Sequence, residues 1–268
     1  MASILANAPA TASAPSLSTR DLTIRFGGHV AVNAVSADFH PGTLTVIVGP
    51  NGAGKTTYFN LVSGQLAASS GSVHLHGRDI TRDGAARRTR LGIGRAFQLT
   101  NLFPHLTVIE NVRLAVQSRA GLGLHFFSVW SSHKELIARA EHYLERVALS
   151  ARRDMFVGAL SHGDQRKLEV AILLALETGV MMFDEPTAGM SVDEVPTVLE
   201  LIREVKRDSG KTVLLVEHKM DVVRQLADRI VVLHNGALVA DGEPGAVMQS
   251  KIVQEAYLGT PESEHAHA

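Results

Sequence analysis

The chain has 268 residues, no cysteine and a formal net charge of −1. This length is enough for one large domain with its own core. The lack of cysteine excludes a disulfide framework and thiolate chemistry, and the near-neutral charge provides no basic field that would favour nucleic-acid binding. The longest apolar run, residues 170–176, is far shorter than the roughly 20 residues that cross a bilayer. If the protein serves a membrane, we therefore expect it to act from the aqueous side.

The two ends of the chain read as tails around one ordered domain. Residues 1–17 are rich in alanine, serine and proline without periodicity, which predicts a disordered tail. They contain neither a basic region nor a long apolar core, so a secretory signal is not expected. The domain is predicted to span residues 18–259, and residues 260–268 are predicted to be a second tail.

The first predicted elements are two strands. Between residues 17 and 39 apolar residues alternate on both sides of Gly27 and Gly28, which is typical of antiparallel strands joined by a turn. Phe26 lies directly before this turn. An aromatic side chain there either stacks on an adenine ring or packs in the core, and the sequence leaves both interpretations open.

A glycine-rich loop follows a short apolar run. Residues 49–56 read GPNGAGKT, which matches the pattern G-x-x-x-x-G-K-[ST]. Glycines let the backbone curl so that several N–H groups face one phosphate, and the helix that follows favours an anion at its N-terminus. Lys55 is expected to reach the β- and γ-phosphates, and the Thr56 hydroxyl to ligate Mg²⁺. The sequence therefore predicts a nucleoside triphosphate site.

A helical lobe of about residues 100–175 is predicted as an insertion in an α/β core. Thr107 and Glu110 form the S/T-x-x-E capping box of a helix that runs from Val108 to about residue 117. Apolar residues recur at helical spacing between residues 135 and 149, which predicts a second, amphipathic helix.

Two groups of residues near this lobe allow more than one interpretation. The arginines at positions 87, 88 and 90 are predicted to lie on a solvent-exposed face rather than to form a nucleic-acid patch. Three aromatic residues either pack locally or contact a partner: Phe126, Phe127 and Trp130.

Two buried-type strands end in polar residues. The strand at residues 180–183 is followed by Asp184 and Glu185, and the strand at residues 213–216 is followed by Glu217 and His218. Neighbouring carboxylates point to different sides, so one can hold Mg²⁺ while the other faces an attacking water. Farther on, an Asn-Gly pair predicts a hairpin turn.

Five separated motifs resemble, in identity and order, those of the ATPase subunits of ABC transporters. They are the Walker A loop at residues 49–57, the Q-loop glutamine Gln98, the signature at residues 160–165, the Walker B strand at residues 180–185 and the switch histidine His218. The resemblance covers residues 18–259. It implies a P-loop NTPase core with an antiparallel β subdomain and an inserted α-helical subdomain.

The resemblance also implies a role for each matching position. Glu185 would be the general base, His218 would contact the γ-phosphate, and Gln98 would sense the metal and the attacking water. The metal positions would be Thr56, Gln98 and Asp184. The positions that would bind the nucleotide are Phe26, Asn51, Gly52, Ala53, Gly54, Lys55, Thr56, Thr57, Ser161 and Gly163.

Two motifs depart from the family pattern. The signature, usually LSGGQ, keeps Ser161 and Gly163, but His162 replaces a glycine and limits backbone freedom, and Asp164 adds a charge. In the D-loop, Ser191 replaces a carboxylate. We therefore expect altered ATP-driven closure and weaker coupling between two sites.

Four segments resemble the branched-chain amino-acid importers more narrowly: GRAFQLTNLFPHLTVIENV, LSHGDQRKLEVA, DEPTAGM and IVQEAYLG. The implied function is an ATP-hydrolysing motor on the cytoplasmic face of the inner membrane, peripheral to it. Its implied partners are integral-membrane permease subunits, a second ABC ATPase subunit and, indirectly, a periplasmic binding protein, with no nucleic acid. Alternatives are the motor of a urea or amide importer or of a lipid exporter, and an ABC ATPase without a transport role.

Overall fold

The computed structural model describes residues 14–96, 102–121, 134–251 and 253. The strands are β1 (Leu17–Phe26), β2 (His29–Phe39), β3 (Leu44–Val48), β4 (Ser70–Leu75), β5 (Arg78–Asp79), β6 (Ile93–Ala96), β7 (Val180–Asp184), β8 (Thr212–Val216), β9 (Arg229–His234) and β10 (Ala237–Gly242). The helices are α1 (Lys55–Ser63), α2 (Ala85–Leu91), α3 (Val108–Arg119), α4 (Lys134–Arg146), α5 (His162–Ala175), α6 (Val195–Ser209), α7 (Met220–Leu226) and α8 (Pro244–Gln249).

One sheet is antiparallel and has four strands in the order β2-β1-β4-β5. Its β1–β2 hairpin pairs Leu17 with Phe39 and Phe26 with His29, so the predicted antiparallel strands are confirmed. Leu17, the residue before the predicted domain start, is fully buried as the first residue of β1. The buried side chains of this sheet pack with those of α1 in one core cluster.

The second sheet has six strands in the order β10-β9-β3-β8-β7-β6. Strands β9, β3, β8, β7 and β6 run parallel, and β10 returns antiparallel to β9 across the predicted turn at Asn235 and Gly236. The central strands β3, β7 and β8 are buried along their whole length, as expected for a parallel sheet covered on both faces. Their carboxyl ends meet at one edge of the sheet, which is where ligands bind in open α/β folds.

Helices α3, α4 and α5 lie between β6 and β7 in the chain and form the predicted inserted helical lobe. The capping box is confirmed, since Thr107 Oγ1 accepts the N–H of Glu110 and the Glu110 carboxylate accepts the N–H of Thr107. Helix α4 ends at Arg146, three residues before the expected end. The predicted fold class, a mixed α/β core with an antiparallel β subdomain and a helical subdomain, is confirmed.

The interpretation of the three arginines is wrong for Arg88. Arg87 and Arg90 are exposed, but Arg88 is 2% exposed. Its guanidinium donates hydrogen bonds to the carbonyl oxygens of Leu61 and Val62 at the C-terminal end of α1, both at 2.7 Å. The reason is that a helix leaves its last carbonyl groups without partners, and a buried arginine provides them.

Several predictions fall on residues that the structure does not describe. The aromatic residues Phe126, Phe127 and Trp130 lie outside the described residues, and so does Gln98. Among the described residues, no helix combines the length and apolar character that a bilayer span requires.

Candidate functional site

The glycine-rich loop connects β3 to α1 at the carboxyl edge of the six-stranded sheet. Neighbouring backbone comes so close that side chains do not fit at two of its glycines. A Cβ on Gly49 would lie 2.2 Å from the carbonyl oxygen of Leu233, and a Cβ on Gly54 would lie 2.4 Å from that of Ala31. Gly54 also has a φ of 95°, in the left-handed region that favours glycine. The loop is therefore fixed between β9 and β2, with its N–H groups at the start of α1.

Lys55 lies across this loop. Its Nζ donates hydrogen bonds to the carbonyl oxygens of Gly49 at 2.7 Å and Pro50 at 3.0 Å. Burial lowers the pKa of Lys55, and the negative charges of Glu185 and Asp184 oppose that shift. The structure thus brings the lysine of the loop close to the two carboxylates at the carboxyl end of β7, Asp184 and Glu185.

The remaining predicted loop residues surround this lysine. Asn51, Gly52 and Thr56 are exposed, whereas Ala53 is buried and Thr57 is partly buried. Thr56 is the second residue of α1, so its hydroxyl is accessible at the helix N-terminus.

Asp184 and Glu185 have different environments, as expected from the alternation of side chains. The Asp184 side chain is fully buried and its Oδ2 accepts a hydrogen bond from Arg95 Nη2 at 2.6 Å. Its Oδ1 is also buried and accepts no hydrogen bond from any residue that the structure describes. Glu185 is partly exposed and has a φ of 49°, a left-handed conformation that is uncommon outside glycine and often found at functional sites.

His218 lies beside Glu185, with 3.8 Å between His218 Nδ1 and Glu185 Oε1. The segment that carries His218 is held by Glu217, whose side chain is completely buried. The Glu217 carboxylate accepts hydrogen bonds from Thr187 Oγ1 at 2.7 Å and from the backbone N–H of His218 at 3.1 Å. The sequence analysis gave Glu217 no role. The signal that could have identified it is its place directly after a buried strand.

The signature begins helix α5. Ser161 is its N-cap, and Ser161 Oγ accepts the N–H of Asp164 at 3.2 Å. The carboxylate of Asp164 is buried and forms ion pairs with Arg152 and with Lys167. The charge that distinguishes this signature is therefore compensated within the helical lobe.

A carboxylate from the D-loop region contacts the signature. Glu194 Oε2 accepts hydrogen bonds from the backbone N–H of Ser191 at 3.2 Å and from its hydroxyl at 3.0 Å. A Cβ on Gly163 would lie 2.1 Å from Glu194 Oε1. Hydrogen bonds from the Ser191 N–H, the Ser191 hydroxyl and the Ser161 hydroxyl lower the pKa of Glu194. Ser191 replaces the carboxylate that is usual at this position, and the carboxylate of Glu194, three residues later, lies beside it. The sequence analysis did not identify Glu194.

Phe26 ends β1 and is 50% exposed. The interpretation as a core aromatic is therefore wrong, because half of the ring is accessible to solvent. Residue Ala31 of the following strand contacts the phosphate loop at Gly54, so this hairpin borders the site. Stacking on adenine stays a prediction.

Comparison with known proteins agrees with this arrangement. Residues 32–188 match the ABC transporter family. The chain is 36% identical over 252 residues to the high-affinity branched-chain amino acid transport ATP-binding protein LivG of Escherichia coli, covering 92% of this chain and 99% of LivG. It is 35% identical to the probable branched-chain amino acid transport ATP-binding protein LivG of Archaeoglobus fulgidus, covering 92% of this chain and 97% of that protein.

Solved structures give the same result. The ADP conformation of an ATP-binding cassette of an ABC transporter matches with a TM-score of 0.80 and 30% identity, covering 92% of this chain and 100% of that one. A bacterial ABC transporter cassette solved as a dimer matches with a TM-score of 0.73 and 25% identity, covering 85% of this chain and 98% of the other. The chain belongs to the ABC transporter family and is an ATP-hydrolysing subunit of a transport complex.

Proposed function

We propose that this chain drives the import of branched-chain or chemically related amino acids, and that it works on the cytoplasmic face of the inner membrane. The support is that relatives named for branched-chain amino-acid transport align over nearly their whole length. The observation that carries the ATPase assignment is the convergence of Lys55, Asp184 and Glu185 at one sheet edge.

The proposed chemistry is phosphoryl transfer to water, which depends on positioning and charge stabilisation. Lys55 exchanges its two loop carbonyl partners for phosphate oxygens. Glu185 accepts a proton from the attacking water, and His218, beside it, contacts the γ-phosphate. Gln98 senses the metal and water, and Phe26 stacks on adenine. The loop residues Asn51 to Thr57 hold the phosphates through their N–H groups.

The residues present fit a Mg²⁺ ion held together with the nucleotide. Asp184 Oδ1 is a buried carboxylate oxygen without a hydrogen-bond donor among the described residues, and the Thr56 hydroxyl is exposed at the start of α1. Hard oxygen donors suit Mg²⁺, which is commonly bound through one or two protein groups, substrate phosphates and water. When bound, the ion neutralises charge on the phosphates.

A complete site is proposed to need two chains. The chain has one phosphate loop and one signature, and the signature lies on the helical lobe. Ser161 and Gly163 of one subunit would contact the γ-phosphate held by a second ATPase subunit. Since ATP then binds to the closed pair, it stabilises that pair by mass action, and hydrolysis releases it.

An exposed apolar surface is the proposed contact with the permease subunits. It consists of Phe103, Met155 and Phe156, whose side chains are all exposed. Backbone hydrogen bonds join the segment that carries Phe103 to the segment that carries Met155 and Phe156. One of them runs from the Val157 N–H to the Leu106 carbonyl at 3.1 Å. Apolar surface of this kind is typical of protein contacts. A periplasmic binding protein would act through the permease, and no nucleic acid is involved.

Uptake of radiolabelled leucine by cells that lack this chain tests the proposal. We expect uptake to be restored by the wild-type chain and not by Glu185→Gln, and permease subunits to co-purify with both. Normal leucine uptake without the chain, or co-purification with exporter components, would favour the alternative motors.

A further inference from the structure

Arg95 lies between the phosphate-binding helix α1 and the carboxylate of Asp184, the last residue of β7. It belongs to β6, next to β7 in the sheet, and its side chain is 7% exposed. In the sequence, neither its position shortly before Gln98 nor its residue type indicated a functional role for Arg95.

The guanidinium group of Arg95 is fixed on two sides. Nη2 donates to Asp184 Oδ2 at 2.6 Å, while Nη1 donates to Asn60 Oδ1 at 2.6 Å and to Ser63 Oγ at 3.1 Å. Its central carbon lies 5.6 Å from the ring centroid of Phe59. Since Asn60, Ser63 and Phe59 all belong to α1, one planar group connects the phosphate-binding helix to Asp184.

This arrangement fixes which oxygen of Asp184 is available. The arginine occupies Oδ2, and Oδ1 has no donor among the described residues. A planar guanidinium restrains the orientation of its carboxylate partner better than a single ammonium group does. Rotation of the carboxylate would break a buried charge pair, which is strongly unfavourable.

We propose that Arg95 is a positioning residue for the metal-nucleotide site, which holds Asp184 so that Oδ1 faces the cation bound with the nucleotide. This inference rests on the proposed role of Asp184 and adds Arg95 as the group that orients it. Residues that hydrogen-bond to metal-binding side chains commonly control the affinity for the metal in this way. Their loss typically weakens metal binding about 10- to 100-fold.

Arg88 provides a matched control. It is also buried and contacts the same helix, but its guanidinium donates hydrogen bonds to the backbone carbonyls of Leu61, Val62, Thr81 and Asp83. Its substitution should therefore affect stability without affecting the cation.

The test measures Mn²⁺ binding to the ADP-loaded full chain by electron paramagnetic resonance, which needs no turnover and no permease. Mn²⁺ is suitable because it takes the same oxygen ligands as Mg²⁺. We expect Arg95→Met to weaken Mn²⁺ binding about 10- to 100-fold, and Arg95→Lys to fall between Arg95→Met and wild type. Metal-free ADP binding should change little in either variant, and Arg88→Met should retain wild-type Mn²⁺ affinity.

Unchanged or tighter Mn²⁺ binding in folded Arg95→Met would overturn the inference. If that variant does not fold, Arg95→Lys decides: wild-type affinity in it would count against positioning. A wrong role for Asp184 can be distinguished from a wrong role for Arg95. If Asp184 does not bind the cation, Asp184→Asn would also leave Mn²⁺ binding unchanged.

Discussion

Lys55 Nζ lies 2.7 Å from the carbonyl oxygen of Gly49, so the side chain folds back over the loop from which it projects. Without nucleotide, these carbonyl dipoles and the nearby carboxylates offset only part of the cost of burying the ammonium group, since burial still lowers the pKa of Lys55. Phosphates that enter the loop would offer the same group stronger, charged acceptors.

Replacement of Lys55 by alanine should therefore weaken ATP binding. A hydrogen bond to a charged group contributes about 1.5–3 kcal/mol, which corresponds to roughly 10- to 150-fold in affinity. Isothermal titration calorimetry with ATP measures this, with Lys206→Ala as the control because Lys206 pairs with Asp228 far from the loop. Wild-type affinity in Lys55→Ala would require revision of the loop assignment.

Glu185→Gln should bind ATP with near-normal affinity but hydrolyse it about 10²- to 10⁴-fold more slowly, the usual size of a general-base contribution. The glutamine keeps the size of the side chain and loses its ability to accept a proton. Phosphate release by the assembled complex is the measurement. Near-normal turnover would reject Glu185 as the base.

Glu217→Ala should destabilise the fold by about 2–4 kcal/mol, because it leaves the buried hydroxyl of Thr187 and the part-buried N–H of His218 without their acceptor. Glu217→Gln retains an acceptor oxygen and should cost less. Urea denaturation of both variants compares them. Equal stability of the two would show that the buried hydrogen bonds of this carboxylate contribute little.

Gly54→Ala should be much less stable than Gly77→Ala. Both glycines have positive φ, so each substitution costs roughly 1 kcal/mol in backbone strain. A Cβ at Gly77 meets nothing within 4 Å, whereas at Gly54 it would collide with the carbonyl of Ala31. Thermal unfolding without nucleotide makes the comparison, and similar melting temperatures would contradict the close contact between loop and hairpin.

The capping box makes a prediction for pH. Hydrogen bonds from the Thr107 N–H and hydroxyl hold the pKa of Glu110 below its ordinary value. A carboxylate with a lowered pKa in the folded state stabilises the fold above its unfolded pKa, and this contribution is lost as pH falls through the folded pKa. Wild type should therefore exceed Glu110→Gln in urea midpoint near pH 7, and the difference should shrink as pH falls below about 4. A pH-independent difference would contradict this assignment.

Local sequence signals were sufficient for the elements and motifs whose parts are adjacent in the chain. The loop at residues 49–56, the capping box at Thr107 and the turn at Asn235 each carry their chemistry within a few residues. Each was found where the sequence predicted it.

The missed relationships are long-range. Arg95 and Asp184 are 89 residues apart, and Thr187 and Glu217 are 30 apart. They meet because β6, β7 and β8 are neighbours in the sheet, an order that periodicity does not reveal. Arg88 was misassigned for a related reason, since nothing in the local pattern shows that the end of α1 lies against it.

The most direct measurement is a structure of the purified transport complex that carries Glu185→Gln and is saturated with ATP and Mg²⁺. The account predicts Ser161 Oγ within hydrogen-bonding distance of a γ-phosphate whose other contacts come from the phosphate loop of a second ATPase subunit. ATP enclosed entirely by groups of one chain, with Ser161 far from any nucleotide, would contradict it.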